Sequence, residues 1–500
     1  MNSSKSVLNS LSKTSLWLSN AGLTSTRSKT IYPKLTKINN QPLHDQYDVI
    51  VIGGGIVGIT AAYQLKQYGK KVVLIEGRNI GGGTTGFSTA KLSSLHGPIY
   101  AIMTKMHDDK IAKMYYDMNQ QAIHQIETLV HDLNLDCEFE KRSHTVWTSD
   151  ETKLDLLKKE YDVCTKLGIP CEFLNSTDLQ KELPSTLHPL GGLKFPDQAQ
   201  FNSYKYCVEL SKHIQGNGCD IFEDSLVSSI KEGKPHTVYV EQEPQHVQEG
   251  KEKENNIEVK ADYIILATHL PIMDRSLHFA FLEPSRSHCI AIKVNPTEQY
   301  SLHNMFINAD TPLRSLRTSQ NDEIIVIAGE TIKMGDESNT IQFYENLEKW
   351  AKQHFQVQEV IAKWSAMDYF SSDHIPFIGY LYRGTQSIFT ATGFNKWGLT
   401  NGVAGAQLIT DLVMGKEFTP YHKMVDARRW NLLKQFAGLS MENWHVSKHF
   451  IKDKFLHALN FNNVDSIKKG HGGVVNSGLT KVGVYKDENG KCYCIKPTCT

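Results

Sequence analysis

Val49-Ile50-Val51-Ile52-Gly53-Gly54-Gly55-Ile56-Val57-Gly58 runs directly into Ile59-Thr60-Ala61-Ala62-Tyr63-Gln64-Leu65, and Gly69 separates this stretch from Val72-Val73-Leu74-Ile75-Glu76. The β-branched run Val49–Ile52 has the composition of a strand buried on both faces of a parallel sheet, and the apolar residues after Gly58 recur at helical spacing. In such a strand–turn–helix, Gly53 permits the tight turn, Gly55 lets backbone approach a pyrophosphate, and Gly58 lets helix pack on strand. The unpaired N–H groups and positive end of the helix attract phosphate. Glu76, 18 residues past Gly58 at the tip of the second strand, stands where a carboxylate accepts hydrogen bonds from a ribose. A glycine-rich turn in an unrelated α/β domain is the competing reading. The register of strand, glycines, helix, strand and acid favours a dinucleotide, without choosing between NAD and FAD.

Gly81-Gly82-Gly83-Thr84-Thr85-Gly86-Phe87-Ser88-Thr89-Ala90-Lys91 follows. With Gly53–Glu76 it resembles the opening of the D-amino-acid-oxidase-like flavoprotein superfamily, which includes glycine, sarcosine and D-amino-acid oxidases. Three later segments match that superfamily in order: Asp220–Ile230, Ala261–Thr268, and Asp373–Gly379 with Thr392–Thr400. The resemblance spans about residues 46–430 and implies noncovalent FAD. It assigns Gly53, Gly55, Ile56, Val57, Gly58, Glu76, Gly77 and Arg78 to the nucleotide end, with Val227 facing the adenine. Thr84, Thr85, Ser88, Thr89 and Lys91 fall along the pyrophosphate and flavin. Ala267 and Thr268 fall beneath the cofactor, and Gly379, Gly393, Phe394, Trp397, Gly398, Leu399 and Thr400 at the flavin pyrimidine. A helix from about Asn401 to Met414 would aim its N-terminus at the same place. A covalent flavin link is not expected, because residues 365–400 contain no cysteine and residues 84–91 no histidine.

The resemblance implies an α/β fold in which a glutathione-reductase-like, Rossmann-type FAD domain (46–100, 200–275 and 365–430) interleaves with an antiparallel-sheet α+β substrate domain (101–199 and 276–364). Helices are expected over Asp109–Leu133 and Glu151–Leu167, and strands over His288–Val294 and Glu323–Ala328. Glu241–Asn256 reads as a solvated hairpin tip. Only one dinucleotide fingerprint exists, since Gly470-His471-Gly472-Gly473 lacks the spacing and the preceding strand. A second, NAD(P)H-binding unit is therefore not expected, and the electrons come from a small organic substrate.

The 500 residues carry 54 basic and 54 acidic side chains, so no global charge draws the chain to nucleic acid. At 40% hydrophobic and 22% charged residues, the composition excludes a wholly disordered or fibrous protein. No apolar stretch reaches the roughly 18 residues of a membrane span. Nine cysteines stand at 137, 164, 171, 207, 219, 289, 492, 494 and 499 without a C-x-x-C, and read as thiols of a reducing compartment. Residues 1–44 hold six basic residues and no acid. Rich in Ser, Thr and Asn, with Val7, Leu8, Leu11, Leu16 and Leu18 as a crude apolar stripe, they read as a mitochondrial transit peptide or a disordered leader outside the fold; without import the expectation is cytoplasmic.

After a connecting segment, 431–466, residues 467–500 read as short strands joined by a turn at Glu488-Asn489-Gly490. Lys496-Pro497-Thr498-Cys499-Thr500 resembles the start of a Rieske iron–sulfur domain, which needs two Cys and two His ligands. Cys499 is a single remnant ligand and no 2Fe–2S cluster is expected in these residues. Truncation, degeneration and an unrelated hairpin all remain open. A flavin module fused to a Rieske domain forms a recognisable subgroup, which Gly83–Gly86, Thr89–Lys91 and Ala267-Thr268-His269 resemble.

The expected chemistry is hydride transfer to flavin N5 from carbon beside the nitrogen or oxygen of a small amine, amino acid or 2-hydroxy acid, with O2 or an electron carrier as acceptor. The alternative is an electron-transfer component serving a Rieske-type centre or a protein partner. Three residues are catalytic candidates: His96 as base or substrate contact, Arg317 as holder of a substrate carboxylate, and His269 beside the Ala267-Thr268 strand. A structural histidine and a surface ion pair compete for the first two.

Overall fold

The computed structural model describes residues 14–20, 30–36, 45–241, 256–273, 275–295, 301–319, 322–334 and 340–429, together with most of 467–495. Residues 1–430 and 431–500 form separate compact units.

In the first unit the strand Tyr47–Ile52 lies at the centre of a mostly parallel sheet. Val72–Ile75 pairs on one side (Val49↔Val72 to Ile52↔Ile75) and Ile257–Leu266 on the other (Tyr47↔Ala261 to Ile52↔Leu266). Asp220–Phe222 extends the first side; Ile388–Thr392 and then antiparallel Phe377–Tyr380 extend the second. All four residues of Val72–Ile75 are buried, which explains an uninterrupted apolar run instead of alternation. The chain builds one side of its central strand before returning to build the other, and the crevice at the carboxyl ends beside such a reversal is where open α/β sheets bind ligands.

The second sheet runs, in order, Val357–Ser371, Leu282–Val294, Ile324–Lys333, Arg314–Ser319, Met305–Asn308, Glu140–Thr148, Gly191–Gln200 and Lys91–Leu92, with Glu172–Asn175 also on Gly191–Gln200. Every pairing is antiparallel except Met305–Asn308 with Glu140–Thr148. Lys91–Leu92 and the long strand Val357–Ser371 carry chain from the cofactor segments into this sheet. Phe306, Ile325 and Ile327 pack with Leu179 and Leu347, which come from the helices Ser176–Glu182 and Thr340–His354.

The helices Asp109–Asp132 and Glu151–Lys166 occupy the expected stretches, capped by Asp108 and Asp150. The helix expected from Asn401 spans Gly398–Val413 instead, starting three residues earlier. In the second unit His471–Ser477, Thr480–Lys486 and Cys492–Ile495 form a three-strand antiparallel sheet, with Gly490 N–H on Asp487 O between the last two strands. Residues 431–466, residues 242–255 of the charged insertion, and Cys499 lie outside the described residues. No helix among the described residues is long and apolar enough to cross a membrane.

For residues 14–20 and 30–36 the reading as a leader outside the fold is corrected, while Val7, Leu8 and Leu11 lie outside the described residues. Leu16–Asn20 is helical, Trp17 is fully buried, and Leu16 and Leu18 join the main core. Tyr32 and Leu35 are buried too. A Ser/Thr/Asn-rich composition resembles an unfolded leader, but here its few apolar side chains are paid for by burial.

Candidate functional site

Gly53 adopts φ +108°, and a β-carbon there would lie 2.5 Å from Ala267 O, so only glycine closes this turn. At Gly58 a β-carbon would overlap the Gly53 carbonyl oxygen and crowd Val51 at 3.1 Å. Gly55, the extended N-cap of the helix Ile56–Gln67, has only Thr85 Oγ1 near its missing side chain, at 3.1 Å. That hydroxyl accepts the Ile56 N–H. The N–H groups of Val57 and Gly58 precede the first intrahelical bond, Ile59 N–H to Gly55 O at 3.0 Å, and a helix end of this kind suits an anion.

Glu76 forms the rim. Its Oε2 accepts the Gly54 N–H at 2.6 Å and its Oε1 the Arg78 N–H at 2.8 Å. Burial pushes its pKa up against the pull of these two bonds. Each oxygen keeps a further lone pair for a hydroxyl. Asp224 N–H on Arg78 O (2.8 Å) and Ser225 N–H on Glu76 O (2.9 Å) bring the hairpin that starts at Val227 alongside Gly77 and Arg78. Glu223 was not singled out by sequence reasoning. It is fully buried and accepts the N–H groups of Ile31, Tyr32 (2.8 Å) and Ile80 (2.6 Å). Nothing local marks it, because its donors lie far away in sequence.

A second helix N-terminus meets the first. A β-carbon on Gly402 would lie 3.0 Å from Val57 and 3.1 Å from Ile56, so the opening turns of Gly398–Val413 and Ile56–Gln67 touch. Two positive helix ends therefore share the carboxyl edge of the parallel sheet. Gly393 (φ +71°) and Gly379 (φ +119°) shape the approach to the second helix. Phe394 and Leu399 are buried, and Thr400 Oγ1 reaches Ser93 O at 3.3 Å. Half-buried Trp397 stacks on His96 at 4.6 Å and lies 5.6 Å from His144.

The three catalytic candidates separate. His96 is buried, with Nε2 on Ser93 O (2.6 Å) and Nδ1 on Tyr115 Oη (2.7 Å), and burial pulls its pKa down to about 3. Donating to the carbonyl and accepting from the phenol, it has no free lone pair for a base; it positions Trp397. Arg317 is 3% exposed and gives its N–H groups to Ala90 O (2.8 Å), Phe201 O (3.0 Å), Thr318 O (3.0 Å) and Thr89 O (3.4 Å). It is a backbone clamp, not a surface ion pair and not a carboxylate fork. His269, at φ +68°, follows Ala267 and Thr268 directly. Its Nε2 lies 3.0 Å from Asp368 Oδ1 and its Nδ1 3.4 Å from Thr84 Oγ1. Of the three, only His269 keeps a partly exposed ring beside a cofactor-loop residue, with a carboxylate orienting it.

His144 was also missed. Its Nδ1 takes a 2.7 Å bond with Ser93 Oγ, while Nε2 is buried with no partner among the described residues. Its signal is only visible once Trp397 and Ser93 are packed beside it.

Lys91 turns away from the phosphate cradle. It is 4% exposed and donates to Phe306 O in the second sheet at 3.0 Å. Burial, aided by nearby Arg317, lowers its pKa from 10.5 to about 7. Between about pH 7 and 10 the unfolded chain then holds the extra proton, so this group makes stability rise with pH; below pH 7 both states are charged and the burial cost is fully present. Lys91→Met is therefore expected to raise Tm most at pH 6–7, the gain fading towards pH 10. Thermal unfolding across that range checks this, and a gain independent of pH would refute it.

The FAD dependent oxidoreductase family (DAO) matches residues 48–412. YhfW of Bacillus subtilis, named as a Rieske 2Fe-2S iron–sulfur protein, is 32% identical over 91% of this chain and 85% of its own. Glycine oxidase of the same organism is 24% identical over 74% of this chain and 94% of its own. Among solved structures, glycine oxidase from Geobacillus kaustophilus superposes with a TM-score of 0.62 at 16% identity, covering 77% of this chain and 99% of that one. The glycine cradle, the Glu76 rim and the paired helix ends fit the diphosphate and ribose of FAD.

Proposed function

Because the chain belongs to the DAO family of FAD-dependent oxidoreductases, we propose that it holds FAD noncovalently and oxidises a small amine, amino acid or 2-hydroxy acid. The observation that carries this reading is the packing of Ile56 and Val57, at the start of one helix, against Gly402, near the start of the other, at the carboxyl edge of the parallel sheet. FAD, when bound, supplies the hydride-accepting chemistry.

The chain's own residues do the rest. The first turn of Ile56–Gln67 holds the diphosphate, and Glu76 the ribose. The first turn of Gly398–Val413 offers positive potential to the electron-rich end of the cofactor, which favours its reduced form. Trp397, fixed by His96, walls the site against water. His269, oriented by Asp368, is the group placed to hold or move a proton at Nδ1 beside Thr84.

Anaerobic titration of the yellow protein with amines, amino acids and hydroxy acids tests the reading: one class is expected to bleach the flavin absorbance. A protein that takes up no FAD, or whose flavin no such compound reduces, would overturn it. Acid precipitation is expected to release the colour into the supernatant.

A second reading draws on the relative named as a Rieske 2Fe-2S protein, whose similarity extends over 91% of this chain. In it, FAD, when bound, would supply one-electron chemistry, and the chain would serve an iron–sulfur partner instead of a metabolite. Reduction or oxidation of the flavin by such a protein, with no response to metabolites, would favour it.

A further inference from the structure

The loop from Thr85 to Ala90 is held in an unusual way. Each of its carbonyls accepts from a side chain brought from elsewhere in the sequence. Thr85 O takes the Ser203 hydroxyl at 2.7 Å, Gly86 O the Ser15 hydroxyl, and Phe87 O the Trp364 Nε1 at 3.0 Å. Ser88 O takes the Trp17 Nε1 at 2.8 Å, and Thr89 O and Ala90 O take the Arg317 guanidinium. Ala90 is held at φ +56°, a conformation that costs a residue with a side chain about 1 kcal/mol or more. Something must over-determine it.

Two of these donors come from one short segment, Ser15 to Leu18. The Trp17 ring lies under the Arg317 guanidinium at 4.7 Å, so the tryptophan holds one carbonyl itself and steadies the cation that holds two more. Leu18 closes against Gly86, where an added β-carbon would meet Leu18 Cδ1 at 3.0 Å. Further along, the N–H groups of Ile31 and Tyr32 bind the Glu223 carboxylate that also holds Ile80, and the Leu35 N–H binds Ser225 Oγ at 2.9 Å. Ser15–Leu18 thus touches the Thr85–Ala90 loop, and Ile31–Leu35 the stretch Glu223–Ser225.

We propose that Ser15–Leu18 is a positioning element of the cofactor site, which keeps the carbonyl oxygens of the Thr85–Ala90 loop turned away from the diphosphate. A carbonyl that swung towards the cradle would set its negative end against a doubly charged group and would compete for the N–H groups of the helix Ile56–Gln67. Thr85, whose hydroxyl caps Ile56, couples the loop directly to that helix. This inference rests on the FAD reading above.

The test is the Kd for FAD of the full chain, from quenching of flavin fluorescence, together with Tm of the apoprotein. Trp17→Ala is expected to weaken FAD binding at least tenfold. Trp17→Phe keeps an aromatic face for Arg317 but loses the bond to Ser88 O, and is expected to weaken it about fivefold. Tyr32→Phe removes a side-chain bond to Ser211 (2.8 Å) outside Ser15–Leu18 and away from the loop, and leaves the backbone N–H on Glu223 in place; it should lower Tm without changing Kd. If Trp17→Ala does not fold, Trp17→Phe decides alone. Tryptophan variants with a lowered Tm but an unchanged Kd would reduce the segment to a structural brace and overturn the proposal. A wild-type chain that binds no FAD would instead sink the cofactor reading, and this inference with it.

Discussion

Gly58→Ala is expected to yield a protein that retains little or no FAD and melts well below the wild type. The added methyl group would overlap the Gly53 carbonyl oxygen. The turn cannot retreat, because Gly53 is pinned from both sides. Its N–H binds Ile75 O at 2.9 Å, and its α-carbon already sits where a side chain would strike Ala267 O. Nor can the helix back away, since Val57 and Ile56 are packed against Gly402. Overpacking of this kind costs about 1–3 kcal/mol, and more where backbone must move. Moving this backbone opens the anion cradle, so cofactor and stability fall together. Gly69→Ala is the matched control. Unlike helical Gly58 it lies in the left-handed region, at φ +76°, and has nothing within 4 Å of a β-carbon, so it reports backbone strain without a clash. It is expected to cost about 1 kcal/mol and leave the FAD content unchanged. The ratio of flavin to protein absorbance and the Tm of both variants check the pair. A Gly58→Ala protein with a full complement of FAD and a near-normal Tm would show that the turn does not work as described.

The contrast between these glycines and the catalytic candidates explains what could be read without coordinates. The turn Gly53–Gly58 is legible because its geometry is local: strand, glycines and helix lie within a few residues of one another, and their chemistry permits few arrangements. The parallel strands Val49–Ile52 and Val72–Ile75 are legible in the same way, as uninterrupted apolar runs, whereas the second sheet is implied only by the family resemblance. Whether an imidazole or guanidinium is free to meet a substrate is not a local matter. His96 is silenced by Tyr115 and Ser93, and the phenol is itself held by Asn401 at 3.2 Å. Arg317 is occupied by carbonyls from Thr89, Ala90 and Phe201, more than a hundred residues away in sequence. The same holds for Trp17, whose partners lie at Ser88 and Arg317. Its neighbours in sequence have the composition of an unstructured leader, and only the groove that receives it distinguishes the two. The helix Gly398–Val413 begins earlier than expected although glycine is a poor helix former, with Thr400 held from outside by Ser93 and Gly402 packed on the facing helix.

Arg317 gives the sharpest means of separating these two kinds of role. A guanidinium that held a substrate carboxylate would, on replacement by methionine, raise KM and leave Tm nearly unchanged. The structure leads to the opposite outcome. Arg317→Met is expected to destabilise the fold by about 3 kcal/mol or more, because it strips charge-assisted bonds from buried carbonyls that have no water to replace them. Two effects oppose each other here. Burial disfavours the cation, lowering its pKa to about 9, so methionine relieves a desolvation cost. Against this stand the lost bonds to the carbonyls of Ala90, Phe201 and Thr318, of which Ala90 O keeps only the Phe201 N–H at 3.3 Å and Thr318 O the Gln200 amide at 3.1 Å, and the ring of Trp17, which loses its cation. The losses outnumber the single relief, and breaking a buried charged contact by removing one side commonly costs a few kcal/mol. Arg317→Lys keeps the charge but not the planar fork, and can satisfy fewer of the diverging carbonyls; it should fall between wild type and methionine. Urea unfolding of the three proteins measures the stability order, and KM for whichever compound bleaches the flavin measures the other role. A methionine variant of wild-type stability with a greatly raised KM would return Arg317 to the substrate.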